Sequence, residues 1–167
     1  MSEKLICDNR FSFGNQTIAL PVSLASLPPK IIFQGRPFLL KDNLHVSLVC
    51  LGKIIEKHNI TIPGFEDKVI ADFCAFSLAN DIGPVHYTDD FRFAVRDERQ
   101  SIIVMCAVQN LNRFFDLMNE KYSLKIEYPP THVTLYTPTS ELGIFLVDSG
   151  DIAKLTSPIE NPIGRRL

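Results

Sequence analysis

An α+β fold is what the 167-residue sequence predicts, and three of its features lead there. Short runs of β-branched and aromatic residues with period-two alternation recur along the whole chain. Two longer segments instead repeat apolar residues at helical spacing. In order these read strands, helix, strands, helix, strands, and the hydrophobic content of 46% suffices for one compact core.

The first expected strand is TIALPV (17–22), and the second is KIIFQG (30–35), closed by a turn near Gly35, Arg36 and Pro37. LHVSLVCL (44–51) and THVTLYT (131–137) carry the strongest alternation. FSLAND (76–81), FRFAVRD (91–97) and SIIVMCAV (101–108) fill the middle, with RDERQ (96–100) as the hairpin loop between the last two. GIFLVD (143–148) is a late strand. From Pro63 to Ala75, the residues Phe65, Val69, Ile70 and Phe73 fall on one helical face, and Pro63 and Gly64 suit its start. A second helix, Leu111 to Tyr122, is marked by Leu111, Phe114, Phe115, Met118 and Tyr122, with Asn110 as N-cap. A short third helix begins at Ser149. SLPPK (26–30) and YPPT (128–131) are rigid connectors, because proline fixes φ and donates nothing to a ladder.

The formal net charge is −2, which disfavours a protein gripping a long duplex through many phosphates. A small anionic ligand needs only a few local donors. Cys7, Cys50, Cys74 and Cys106 are widely spaced and form no C-x-x-C, so a zinc ribbon is not expected. Cys50 and Cys106 lie in apolar runs and read as buried small hydrophobes, and the expectation for all four is reduced thiols in a reducing compartment. The start of the chain has no secretory apolar region, and the longest apolar run, IIVMCAV, is too short to span a bilayer. A soluble, cytoplasmic protein without membrane contact is therefore expected.

Two phrases stand out against this background. NLHVSLVCLG (43–52) and PTHVTLYTPT (130–139) each hold histidine, valine, a hydroxyl residue and leucine in that order. With this composition a given histidine falls in a histidine–apolar–hydroxyl–apolar string with a probability of roughly 2%, so two of four by chance is on the order of 0.3%. In a strand, residues two apart share a face. His45 and Ser47 therefore point together, as do His132, Thr134 and Tyr136, while Val46, Leu48, Val133 and Leu135 face apolar packing. The phrases lie about half the chain apart, which suggests two similar lobes carrying one copy each. His58 and His86 lack such context and read as structural, although His86, in a turn-rich stretch, could line a cleft.

Two histidines and two hydroxyls facing one cleft suit phosphoester cleavage. A neutral imidazole takes a proton from the attacking oxygen, and an imidazolium gives one to the leaving oxygen. The hydroxyls donate to non-bridging oxygens, where charge builds up in the transition state. Nothing in this set demands a metal.

The pattern resembles the two-histidine phosphoesterase superfamily, which includes RNA 2′,3′-cyclic phosphodiesterases and 2′,5′-RNA-ligase-like proteins. Its mark is two such motifs, one per lobe, here His45-Val46-Ser47-Leu48 and His132-Val133-Thr134-Leu135. The resemblance runs roughly from residue 17 to 150. It implies one bilobal α+β domain over 1–167, with two antiparallel sheets in pseudo-twofold symmetry around a central cleft and helices packed outside. It also implies metal-independent phosphodiester chemistry without a cofactor. On the match, His45 and His132 are the acid/base pair, and Ser47 and Thr134 are the phosphate donors. The first motif carries serine where threonine is commoner. Tyr136 lies outside the motif, and its offset from Thr134 makes it a candidate to stack on a base. Arg36, Lys41, Arg92 and Arg96 are candidates for meeting a phosphate or ribose.

The expected protein is thus a monomeric phosphodiesterase acting on a 2′,3′-cyclic phosphate, a 2′,5′-linkage, a cyclic oligonucleotide or an RNA end. One alternative is a binding module of the same fold that captures a nucleotide without turnover. Another is a metallohydrolase using His45, His132 and a third ligand such as His86 or an aspartate, for which no H-x-H or H-x-x-x-H spacing exists.

Overall fold

The computed structural model describes residues 3–139 and 143–167. Among these the chain forms, in order, β1 (Lys4–Ile6), β2 (Phe11–Gly14), β3 (Thr17–Pro21), β4 (Lys30–Phe33), β5 (Arg36–Leu40), β6 (His45–Cys50), α1 (Leu51–His58) and α2 (Phe65–Ala79). There follow β7 (Val85–Arg96), β8 (Arg99–Val108), α3 (Leu111–Tyr122), β9 (His132–Thr137), α4 (Ser149–Leu155) and β10 (Thr156–Ile159). The fold is α+β, as expected, with all strand pairs antiparallel.

Tight turns fix the hairpin registers. Asn15 and Gln16 both take positive φ between β2 and β3, and Gln34 and Gly35 do so between β4 and β5. Two such residues in succession twist a hairpin in the sense its strands already twist, and Gly35 adopts that region without a Cβ penalty. The RDERQ loop is likewise tight, since Arg96 pairs with Arg99.

Hydrogen bonding joins the strands into one ten-stranded sheet of order β1-β2-β3-β6-β9-β8-β7-β10, where two sheets are expected. The motif strands β6 and β9 are neighbours at its centre, joined through Val46 and Val133. The β4–β5 hairpin attaches to the same edge of β9 further along, through Leu39 and Leu40. One face of the sheet is covered by α1, α2 and α3. Their Leu51, Ile54, Phe65, Val69, Phe73, Leu111, Phe114, Phe115 and Met118 form a single core with Val46, Leu48, Val133 and Leu135. Phe73 and Phe114 meet edge to face at 5.1 Å. Among the described residues no helix is long and apolar enough to cross a membrane.

Two expected strands are something else. FSLAND (76–81) mostly continues α2, because Phe76 and Ser77 extend the helical repeat of Phe65, Val69 and Phe73, and Phe76 packs on Phe114 at 5.6 Å. GIFLVD (143–148) has the alternation but no ladder. Ile144 and Leu146 turn inward against Ala94 and Ile103, while the backbone bonds to side chains, Arg96 donating to the Phe145 carbonyl at 3.1 Å. The short strands β1, β2, β5 and β10 and the one-face helix α1 carry too few periodic residues to be read from sequence.

The cysteines also differ from expectation. Cys50 and Cys106 are free and buried as expected, but Cys7 and Cys74 are joined by a disulfide. The β1–β2 turn carries Cys7 onto α2, a meeting that a separation of 67 residues conceals in the sequence. Closing a loop of that size restricts the unfolded chain. In the chain-entropy picture, a Cys74→Ser variant or reduction should lower stability by roughly 4 kcal/mol, read as a lower urea midpoint than the oxidised protein. An unchanged midpoint would mean that the bond does not form in solution.

Candidate active site

The register of β6 on β9 builds the site. Val46 lies across from Val133, the same position of the two phrases. Extending this register by one residue each way sets His45 across from Thr134 and Ser47 across from His132. Opposed residues of an antiparallel pair share a face, as do residues two apart along a strand. All four polar side chains therefore rise as a square from the face opposite the long helices. They line one cavity of about 90 Å³. That volume is well below the roughly 300 Å³ where drug-sized pockets begin, and the cavity opens to solvent.

Both motif strands bulge at their fourth position. On β6, Ala19 pairs with Ser47 and Ile18 with Val49, leaving Leu48 as the extra residue. On β9, Ile103 pairs with Thr134 and Ile102 with Tyr136, leaving Leu135 extra. A bulge resets the alternation. Val46, Leu48 and Val49 all join the main core, and so do Val133, Leu135 and Tyr136. This corrects the expectation for Tyr136, which alternation alone would put beside Thr134. It is 0% exposed, and its hydroxyl donates to the Pro28 carbonyl at 2.8 Å, away from the cavity.

The remaining walls come from elsewhere in the chain. β2 and β3 supply Ser12, Gly14, Thr17 and Ala19, and Lys41 enters from the end of β5. Gly143, Ile144 and Phe145 close one side, and the exposed Glu3 lies at another. Gly143 approaches Thr134 so closely that a Cβ there would stand 2.8 Å from the threonine hydroxyl oxygen. Of the candidate cations only Lys41 reaches the cavity. Arg36 donates to Gln100 at 3.0 Å, Arg92 pairs with Asp90 at 3.0 Å, and Arg96 holds the Phe145 carbonyl. His58 ends α1, and His86 is exposed on β7 opposite Ala107; neither lines the cavity.

The two histidines are equivalent in sequence but not in surroundings. His132 is 8% exposed, with Nδ1 3.1 Å from the Pro130 carbonyl and Nε2 3.3 Å from the Ile144 carbonyl. We assign the proton of the neutral ring to Nδ1, whose contact is the shorter and lies within the usual hydrogen-bond range. Nε2 then carries the lone pair against the Ile144 carbonyl, a contact that becomes a hydrogen bond when the ring is protonated. Burial pushes the His132 pKa down, the two carbonyls pull it up, and nearby His45 pushes it down again; the net shift is downward. His45 is also lowered, by burial first and then by the Lys41 ammonium, against the opposing backbone of Asn43 and Glu3. Burial raises the thiols of Cys50 and Cys106 to about 11 and about 12, which leaves them protonated and inert. Among the described residues, no group of three His, Cys, Asp or Glu side chains is placed to hold a metal ion.

Sequence reasoning finds the four motif residues and offers Lys41 among four candidate cations, but misses the other walls. FSFG (11–14) does alternate, yet it is too short to register, and nothing local marks Gly143 as a close approach to Thr134. No protein-family model matches the chain, and neither a curated protein nor a solved structure matches it.

Two outcomes follow from this geometry. In the folded protein His45 and His132 should titrate with NMR midpoints below the ordinary 6.5. The unfolded chain then takes up more protons as pH drops below 6.5. The two rings therefore add stability above that pH and lose it as pH falls through their folded values, so the urea midpoint should fall between pH 7 and 5. Tyr136→Phe should cost about 1–3 kcal/mol, because it strands the Pro28 carbonyl, and should leave ligand binding at the cavity unchanged. A variant of normal stability that binds ligand poorly would return Tyr136 to the site.

Proposed function

We propose that this cleft is the active site of a metal-independent phosphodiesterase of the two-histidine kind, acting on a nucleotide or RNA end. The best-suited substrate is a 2′,3′-cyclic phosphate. What carries the proposal is one observation: two histidines and two hydroxyls, from strands half a chain apart, line a single cavity. Neither the Ser47 nor the Thr134 hydroxyl has a hydrogen-bond partner among the described residues, so both are free to donate to a phosphoryl oxygen.

On this proposal a water attacks phosphorus and loses its proton to one imidazole. The phosphorus–oxygen bond to one ribose oxygen breaks, and that oxygen takes a proton from the other imidazolium. A phosphomonoester and a free hydroxyl result. The equivalence of Val46 and Val133 across β6 and β9 favours a bilobal, pseudo-twofold arrangement about this axis, which we adopt with the superfamily assignment. The same reading takes the protein to be cytoplasmic, and there Cys7 and Cys74 would meet a reducing environment.

One observation favours a binding module instead: the His132 Nε2 lies against the Ile144 carbonyl rather than open space. At 3.3 Å that contact is long, and a phosphoryl oxygen can displace it.

The deciding experiment is turnover of nucleoside 2′,3′-cyclic phosphates in excess EDTA. His45→Ala and His132→Ala should each lose about 10²–10⁴-fold in rate, and Ser47→Ala or Thr134→Ala about 10²–10³-fold. Because both imidazoles are lowered in the free protein, the bell-shaped kcat/KM profile should peak on the acid side of 6.5. Tight binding without turnover would select the binding module, and loss of turnover in EDTA with rescue by a divalent ion would select a metallohydrolase.

A further inference from the structure

We propose that Lys41 is the cation of the phosphoryl pocket, its ammonium meeting a non-bridging oxygen of the bound phosphate group. The identity of the substrate rests on the phosphodiesterase reading; the anion site does not. Lys41 belongs to neither histidine phrase. It is delivered by β5, whose ladder on β9 runs through Leu39 and Leu40 and ends with the Lys41 amide donating to the Leu135 carbonyl at 2.9 Å. That bond continues the regular β5–β9 register, Leu40 lying opposite Tyr136, and holds the Lys41 backbone at the cleft.

The side chain is half-buried and lines the cavity, yet it makes no ion pair among the described residues. A half-buried ammonium without a carboxylate partner carries a desolvation cost that an anion would offset. Beside it stand two unpartnered hydroxyls able to donate and two imidazoles that donate once protonated, all lining one small cavity. Glu3, the one carboxylate lining the cavity among the described residues, is exposed. Such a ring of donors around so small a volume matches a tetrahedral oxyanion. Burial lowers the Lys41 pKa, with Glu3 pulling it back, so the anion would also restore its charge.

Lys41→Met removes the charge and keeps the stem, Lys41→Gln guards against a packing loss in the first variant, and Lys41→Arg keeps the charge. Inorganic phosphate binding is followed through the His45 and His132 imidazole resonances, alongside turnover of a nucleoside 2′,3′-cyclic phosphate. Lys41→Met and Lys41→Gln should weaken phosphate tenfold or more and lower kcat/KM by about 10²-fold, while Lys41→Arg retains most of both. Wild-type phosphate affinity should fall at alkaline pH, and that fall should vanish in Lys41→Met. Phosphate binding without turnover, lost in Lys41→Met, would uphold the pocket and remove the phosphodiesterase reading. Turnover and phosphate affinity within twofold of wild type in Lys41→Met would remove Lys41 and leave that reading standing. A wild-type protein that binds no phosphate would overturn the proposal.

Discussion

Val46 meets Val133 at the centre of the sheet, and the candidate site depends on that bridge. Because the two valines hold the same position in their phrases, antiparallel pairing generates a local twofold axis between them and gathers both polar pairs on one face. A slip of one residue would exchange the faces of one strand. The imidazole of His132 and the hydroxyl of Thr134 would then enter a core of phenylalanines, while Val133 and Leu135 would face the cleft. The register is therefore held by the helix-side core, through Val46, Leu48, Val133 and Leu135, all at 0% exposure, and only secondarily by anything within the cleft.

The paired bulges extend this logic. Each phrase needs alternation only as far as its hydroxyl residue. Beyond it, a single extra leucine turns the strand's next residue into the core, which gives the helices a continuous apolar floor from Val46 to Val49 and from Val133 to Tyr136. On the other edge of β9, the Leu135 carbonyl accepts from the Lys41 amide. Symmetry stops there. β5 and its lysine lie on the His45 side, whereas the Gly143–Phe145 segment covers His132. Two imidazoles of equal rank in sequence thus sit in unequal fields, one beside a cation and the other between two carbonyls, an inequality that the proposed acid/base division of labour would use.

What the sequence makes legible follows from how local each signal is. His45, Ser47, His132 and Thr134 are found because two four-residue strings repeat, and period two then assigns them a common face. Helices with a strong apolar stripe, α2 and α3, are found because the stripe spans three turns or more. Tyr136 is misplaced because a bulge leaves no mark in a run that is apolar on both faces; only the loss of alternation in SLVC and TLYT hints at it. The joining of the strands into one sheet, the pairing of Cys7 with Cys74 and the arrival of Lys41 at the cleft all depend on contacts between distant segments, which periodicity cannot report.

The small size of the cavity bears on what the protein can discriminate. On the proposed reading, a phosphoryl group held in a cavity of about 90 Å³ leaves any nucleoside attached to it outside the square of motif residues. On that reading the motif strands would fix the chemistry while remaining indifferent to the base. Discrimination would then come from the rim: Phe145 and its neighbours on one side, and Glu3 at the head of β1 on another. These rim elements belong to short or irregular segments rather than to the central strands. Under the proposal, binding of the reacting group and recognition of what it is attached to would be carried by different parts of the fold. The rim can change while the register of β6 on β9, and with it the placement of the four reactive side chains, stays as it is.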